Sequence, residues 1–192
     1  KRDAILVLSF GTTFRQTRKK TIDAVVEEVR RTCPHVEVRL AFTSHIVIER
    51  VKEHEGISYP TPEEALRKLK EEGYTRIALA SLDIIPGIEY SYKREVFDAC
   101  RSWFHRMTLG TPLLYWQGQE EKRDDVAEVM AAVAAELPAC ALDEAVLLMA
   151  HGTPHPANAY YAVMQERLEE LGASRVFIYT VEGRPFLADI LP

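Results

Sequence analysis

Residues 4–12 read AILVLSFGT, and residues 145–153 read AVLLMAHGT. The two stretches align without a gap, and the fold follows from them. Each is an apolar run that ends in Gly-Thr. A run without polar alternation is the pattern of a strand covered on both faces, as in parallel sheets. Glycine directly after such a strand permits a sharp turn and the close approach of a ligand to the backbone. Both stretches lead into a helical pattern and then into another apolar run. The plain reading is a chance likeness of two buried strands. Read as a repeat, they give two related halves facing each other across a cleft.

The rest of the chain fits that scheme. After Gly11-Thr12-Thr13, the residues Ile22, Val25, Val26 and Val29 recur at helical spacing between Arg18 and Arg31, and Cys33-Pro34 stops that helix. Strands are expected over 36–42, 76–82, 107–109 and 175–180, beside those at 4–10 and 145–150. Helices are expected over 44–53, 89–104, 120–137 and 156–171. Thr61-Pro62-Glu63-Glu64 is a helix start: Thr61 caps, Pro62 suits the first helical position and Glu64 completes a capping box, with Gly73 at the far end. Strands that alternate with helices predict an α/β fold, with parallel sheets flanked by helices. Ligands bind such sheets at the carboxyl ends of the strands. Chemistry is therefore expected just after Phe10, Phe42, Leu82, Ala150 and Thr180. The expected division is a first half over 1–140 and the start of a second over 141–192. The first half holds four strands before the repeat restarts, and the second holds only two. An apolar Ile-Leu-Pro end just after a strand leaves sheet edge and core uncovered, so the second half is expected to be incomplete in this sequence.

Composition narrows the function. Net charge is −5, with acidic and basic residues mixed along the chain. Nucleic acid and anionic membranes reward a basic patch, so neither is expected as a partner. No apolar run approaches the roughly 18 residues of a membrane span. Cys33, Cys100 and Cys140 are far apart and form no CxxC pair, and Cys33 and Cys100 read as small apolar residues. The expected compartment is the reducing cytoplasm, a periplasmic origin staying open. No Walker loop, GxGxxG, HExxH or GxSxG motif occurs, so nucleotide binding and serine hydrolysis have no direct support.

Several residues at the strand ends have chemistry to offer, and each also has a plain structural reading. His151 ends a strand directly before Gly152. Imidazole is a common ligand for divalent metals and moves protons near neutral pH, although a histidine at a strand end is often structural. Glu182 follows the last strand, which a βαβ connection makes a neighbour of the His151 strand. The two side chains can then share one metal, or Glu182 is an ordinary surface glutamate. His155 lies between Pro154 and Pro156, which argue against a helix that would set it beside His151; it stands as a ligand or substrate contact, or neither. Glu89 follows the third strand, either as a proton acceptor or as a complement to a helix dipole. Arg15, Arg18, Lys19 and Lys20 form a basic cluster after the first Gly-Thr loop, suited to carboxylates or to plain solvation. His35, His45, His54 and His105 have no comparable setting.

These segments resemble a known family. Leu6-Val-Leu-Ser-Phe-Gly-Thr12, Ala41-Phe-Thr-Ser44, Ser81-Leu-Asp-Ile-Ile-Pro-Gly-Ile-Glu-Tyr90, Thr108-Leu-Gly-Thr-Pro-Leu113, Met149-Ala-His-Gly-Thr-Pro-His155 and Val181-Glu182-Gly183 occur in the order seen in the anaerobic sirohydrochlorin cobaltochelatases. These are relatives of the ferrochelatases among the ATP-independent chelatases. The resemblance implies a chelatase-like pair of α/β half-domains that insert Co2+ into sirohydrochlorin in anaerobic cobalamin biosynthesis, with the metal as substrate and no nucleotide. It implies that His151 and Glu182 hold the metal, together with a second histidine in a Gly-Asp-His segment that these residues do not contain. For such a reaction His151 and Glu89 are expected as catalytic groups, His151 accepting pyrrole protons and Glu89 helping with proton removal or substrate placement. The substrate is expected against Phe10, Gly11, Thr12, Arg15, Tyr90, Gly152 and His155. Asp83 departs from the family, where histidine often stands. No histidine lies near Ser91, where some relatives hold haem, so no haem is expected. A homo-oligomer is open. The alternatives are a chelatase for Fe2+ or Ni2+, and a metal- or tetrapyrrole-binding protein without turnover. A hydrolase using His151 lacks an evident nucleophile.

Overall fold

A computed structural model describes residues 2–191. The chain forms two compact units. One runs to Asp83 and takes in Glu89–Pro112, and the other takes in Ile84–Ile88 and continues from Leu113.

The first unit is a four-stranded parallel sheet in the order β2-β1-β3-β4. The strands are β1 (Asp3–Ser9), β2 (Glu37–Phe42), β3 (Arg76–Ser81) and β4 (Arg106–Leu109). β1 lies between β2 and β3, which explains why its sequence is apolar without alternation. Leu6 and Leu8 enter one core cluster with Leu66, Leu69, Leu79 and Val96, and Val7 enters another with Val26 and Val38. α4 (Pro62–Glu71) and α5 (Ile88–Cys100) supply residues to the first face, and α2 (Ala24–Thr32) to the second. α2 is preceded by α1 (Arg15–Arg18) and a π-helical stretch, Lys19–Asp23. α3 (His45–Glu55) follows β2, with the Ser44 hydroxyl accepting from the Val47 N–H.

The capping box at α4 forms as the sequence predicts. The Thr61 hydroxyl accepts from the Glu64 N–H, and the Glu64 carboxylate accepts from the Thr61 N–H. Thr61→Ala removes one half of this exchange at a buried helix start. It should lower unfolding free energy by about 1 kcal/mol. Urea denaturation would read this as a lower midpoint at an unchanged slope.

In the second unit, β5 (Val146–Ala150) and β6 (Val176–Thr180) pair in parallel, joined by α7 (Tyr160–Glu170). α6 (Asp125–Glu136) and α7 cover one face, with Leu114, Val126, Met130, Met164, Leu168 and Ile178 as its core. On β5 the alternate residues Leu147 and Met149 are 43% and 70% exposed. The apolar run at 145–150 predicts cover on both faces, and only one is covered among the described residues. α8 (Leu187–Ile190) follows β6. The expected Ile-Leu-Pro end reaches Pro192, outside the described residues.

Two expectations change. The helix predicted over 120–137 starts only at Asp125. Glu120 and Glu121 have left-handed φ of 52° and 61°, and Asp124 instead caps the helix by accepting from the Ala127 N–H. α6, which the expected boundary at 140 places in the first half, belongs to the second unit, where it packs on α7. Among the described residues, no helix is long and apolar enough to cross a membrane.

Candidate functional site

Parallel pairing sets His151 and Glu182 side by side. Ala150 is level with Thr180 in the β5–β6 register. The pairing runs on past both strand ends. The Val181 N–H donates to the Ala150 carbonyl at 3.1 Å and the Glu182 N–H to the His151 carbonyl at 2.8 Å. The two side chains leave this shared backbone, with His151 Nδ1 3.5 Å from Glu182 Oε2. They are 78% and 60% exposed, so their mutual attraction adds little to stability, and both are open to a ligand. His151 Nδ1 also lies 3.1 Å from the Gly152 carbonyl. A proton on Nδ1 has these two acceptors and leaves the Nε2 lone pair outward for a metal, the usual way a ligating histidine is oriented. Among the described residues, no group of three or more His, Cys, Asp or Glu side chains comes together to hold a metal. The pair therefore offers two donors.

The same two backbone bonds recur in the first unit. In the first unit, Ser9 is level with Phe42. There the Thr43 N–H donates to the Ser9 carbonyl and the Ser44 N–H to the Phe10 carbonyl, at 2.8 and 3.2 Å. Phe10 and Ser44 thus hold the places that His151 and Glu182 hold in the second unit. Gly11 and Gly152 follow with φ of +94° and +77°. A Cβ on Gly11 would meet the Phe42 ring at 2.6 Å, and one on Gly152 would meet Gly183 N at 2.6 Å and Thr180 Cβ at 2.7 Å. Each glycine lets its loop lie against the end of the neighbouring strand. In the second unit these two places hold an imidazole and a carboxylate.

His155 is not aimed at His151 by a helix, in keeping with its flanking prolines. Its Nδ1 accepts from the Ala157 N–H at 3.0 Å and so caps the short 3-10 turn over 156–159. In the neutral ring this fixes the proton on Nε2, which makes His155 a donor to an anion rather than a metal ligand in this arrangement.

The remaining predicted residues lie in the first unit. Phe10 is 48% exposed. Thr12 accepts at its carbonyl from Arg18 at 3.1 Å, and its hydroxyl accepts from the Phe14 N–H at 3.2 Å. Arg15 is exposed, with Glu55 4.0 Å away. The basic cluster is smaller than its sequence suggests. Arg18 is buried, donates to Glu55 at 2.6 Å and holds that carboxyl below its ordinary range. It serves the loop and not a ligand. Glu89 lies in the first turn of α5 and is half-buried. Tyr90 is buried and donates to the Gly110 carbonyl at 3.2 Å. Asp83 is paired with the fully buried Lys93 at 2.7 Å, and Lys93 also donates to the Leu8 carbonyl at 3.1 Å. Burial pushes the Lys93 ammonium down from its ordinary value, and Asp83 opposes this. That anchor ties α5 to the ends of β1 and β3.

The sequence reading missed Asn158. Its Oδ1 accepts from the Thr153 N–H at 3.1 Å, and its Nδ2 donates to the Arg184 carbonyl at 2.9 Å. Nothing in PANAYY marks this asparagine out, because both partners are distant backbone atoms.

The comparisons agree with one another. The family model described as cobalt chelatase (CbiK) matches residues 3–192. A sirohydrochlorin cobaltochelatase of Salmonella typhimurium is 36% identical over 165 residues, covering 86% of this chain and 60% of that protein. The sirohydrochlorin cobaltochelatase CbiKC of Nitratidesulfovibrio vulgaris is 37% identical over 195 residues, covering 98% of this chain and 64% of that protein. The chain therefore spans less than two thirds of the length of these curated relatives.

Proposed function

Because the chain belongs to the cobalt chelatase (CbiK) family, we propose that it inserts Co2+ into sirohydrochlorin without a nucleotide. Relatives at 36% and 37% identity are named for that substrate and metal. The observation that carries the proposal is the His151–Glu182 pair, an imidazole and a carboxylate fixed on adjacent strand ends and both open to solvent.

Two physical problems define the reaction. A hydrated metal must exchange water for ring nitrogens, and the pyrrole N–H protons must leave. His151 Nε2 and, after a side-chain rotation, Glu182 replace water on the entering ion. Two protein donors hold a divalent ion weakly, which suits a metal that must be handed on rather than stored. A second histidine, expected from the family resemblance, would strengthen the hold. A neutral imidazole also accepts a pyrrole proton, and Glu89 is proposed as a second acceptor. Arg15, and His155 through its Nε2–H, suit the carboxylates at the rim of the macrocycle. Phe10, Gly11, Thr12 and Tyr90 in the first unit, and Gly152 in the second, are each proposed as contacts for the macrocycle. The cytoplasm is the proposed compartment.

The test is a steady-state absorbance assay of the full-length protein with sirohydrochlorin and Co2+. The expected result is metal insertion over many turnovers without ATP. Stoichiometric binding without turnover would instead mark a carrier. Faster insertion of Fe2+ or Ni2+ at matched free concentrations would reassign the metal, since these ions accept the same donors.

A further inference from the structure

We propose that Asn158 is the positioning residue for the metal-bearing loops, and that Gly183 exists to admit it. This inference rests on the reading of His151 and Glu182 as metal donors. His151 lies on the loop that leaves β5, and Glu182 on the loop that leaves β6. Backbone bonds join the two loops at their bases, where Val181 and Glu182 donate to Ala150 and His151. Beyond those bonds the Asn158 side chain bridges the two loops. Asn158 accepts from the Thr153 N–H on the first loop at 3.1 Å and donates to the Arg184 carbonyl on the second at 2.9 Å. Each bond lies two residues beyond the donor it steadies. The amide suits this task because it carries an acceptor and a donor on one rigid plane.

Gly183 supplies an independent observation. A Cβ there would stand 2.2 Å from Asn158 Oδ1 and 2.8 Å from Asn158 Cγ. Its φ is not left-handed, so the backbone does not demand glycine for conformation. What demands glycine is the amide packed against it. The residue between Glu182 and Arg184 is thus kept bare so that Asn158 reaches both loops.

Both Asn158 side-chain bonds go to backbone atoms, so it acts through His151 and Glu182. Loss of such support around a metal site costs about 10–100-fold in metal affinity. Asn158→Ala should therefore weaken Co2+ binding, read by calorimetry on the full-length protein, by about that factor. The KM for Co2+ should rise with it, and the KM for sirohydrochlorin should stay. Gly183→Ala should produce the same loss by displacing the amide. The decisive measurement is the double variant. With the amide gone, a methyl at position 183 has room, so Asn158→Ala/Gly183→Ala should bind Co2+ no more weakly than Asn158→Ala alone. Wild-type affinity in Asn158→Ala overturns the proposal, and so do additive losses in the double variant. Asn158→Asp, which keeps the acceptor for Thr153 and loses the donor to Arg184, decides the case if the alanine variant does not fold. It should bind Co2+ more weakly than wild type, and unchanged binding overturns the proposal. Wild-type protein that binds no Co2+ would mark failure of the underlying metal reading instead.

Discussion

His151→Ala should reduce cobalt insertion by about 10²–10⁴-fold while leaving the fold intact. The range is that of losing a positioned proton acceptor, and it applies if the imidazole serves as ligand, base or both. The fold should survive because the side chain is 78% exposed. Its backbone carbonyl, which accepts from Glu182, is untouched by the substitution. The measurement is kcat and KM for each substrate, beside a thermal melt. A drop in kcat/KM for Co2+ at an unchanged Tm supports the assignment. Calorimetric titration with Co2+ alone separates the two roles of the ring. A ligand loss weakens binding in step with activity. Loss of a proton acceptor lowers kcat and leaves Co2+ binding in place. Wild-type insertion by the variant would remove His151 from the chemistry, and with it the carrying observation of the proposed function.

The pairing of His151 with Glu182 was legible because it depends on local rules. A βαβ connection places consecutive parallel strands side by side, and ligands collect at their carboxyl ends. Both rules need only the order of apolar runs and turns. The capping box at Thr61 was legible for the same reason, since its partners are three residues apart. What stayed hidden depends on contacts between distant segments. Arg18 reads as one more cation on a helix, until Glu55 and the Thr12 carbonyl are folded onto it. Asn158 meets a backbone carbonyl 26 positions further along the chain. Tyr90 matches a family segment, yet its hydroxyl is turned to Gly110. The start of α6 failed differently. Glu120 and Glu121 are good helix formers, but Gly118 and the Asp124 cap fix the chain direction there, and tertiary context overrides propensity.

Gly152→Ala should be the most damaging single methyl in this protein. Gly152 has a φ of +77°, and placing an L-residue in that region costs about 1–2 kcal/mol. Gly56 is the control, because it shares the left-handed φ, at +69°, and an added Cβ there meets nothing within 4 Å. Gly56→Ala should pay the conformational cost alone, and at roughly 2–4 °C per kcal/mol lower Tm by a few degrees. At Gly152 the Cβ would meet Gly183 N at 2.6 Å and Thr180 Cβ at 2.7 Å. Neither is the far end of a flexible side chain, so relief requires the loops themselves to part. Parting them breaks the bond from the Glu182 N–H to the His151 carbonyl, the element that sets the two proposed metal donors side by side. Gly152→Ala should therefore lower Tm more than Gly56→Ala does, and should weaken Co2+ binding where Gly56→Ala leaves it unchanged. The equivalent position in the first unit makes the physical point clearer. The Cβ of a substituted Gly11 would press on the ring of Phe42 and a methyl of Val47, and side chains yield more readily than backbone. The same turn is thus used twice, and backbone closes in on its glycine in the unit that carries His151 and Glu182. Equal losses in the Gly152→Ala and Gly56→Ala variants, with Co2+ binding retained in both, would show that the loops do not need this approach.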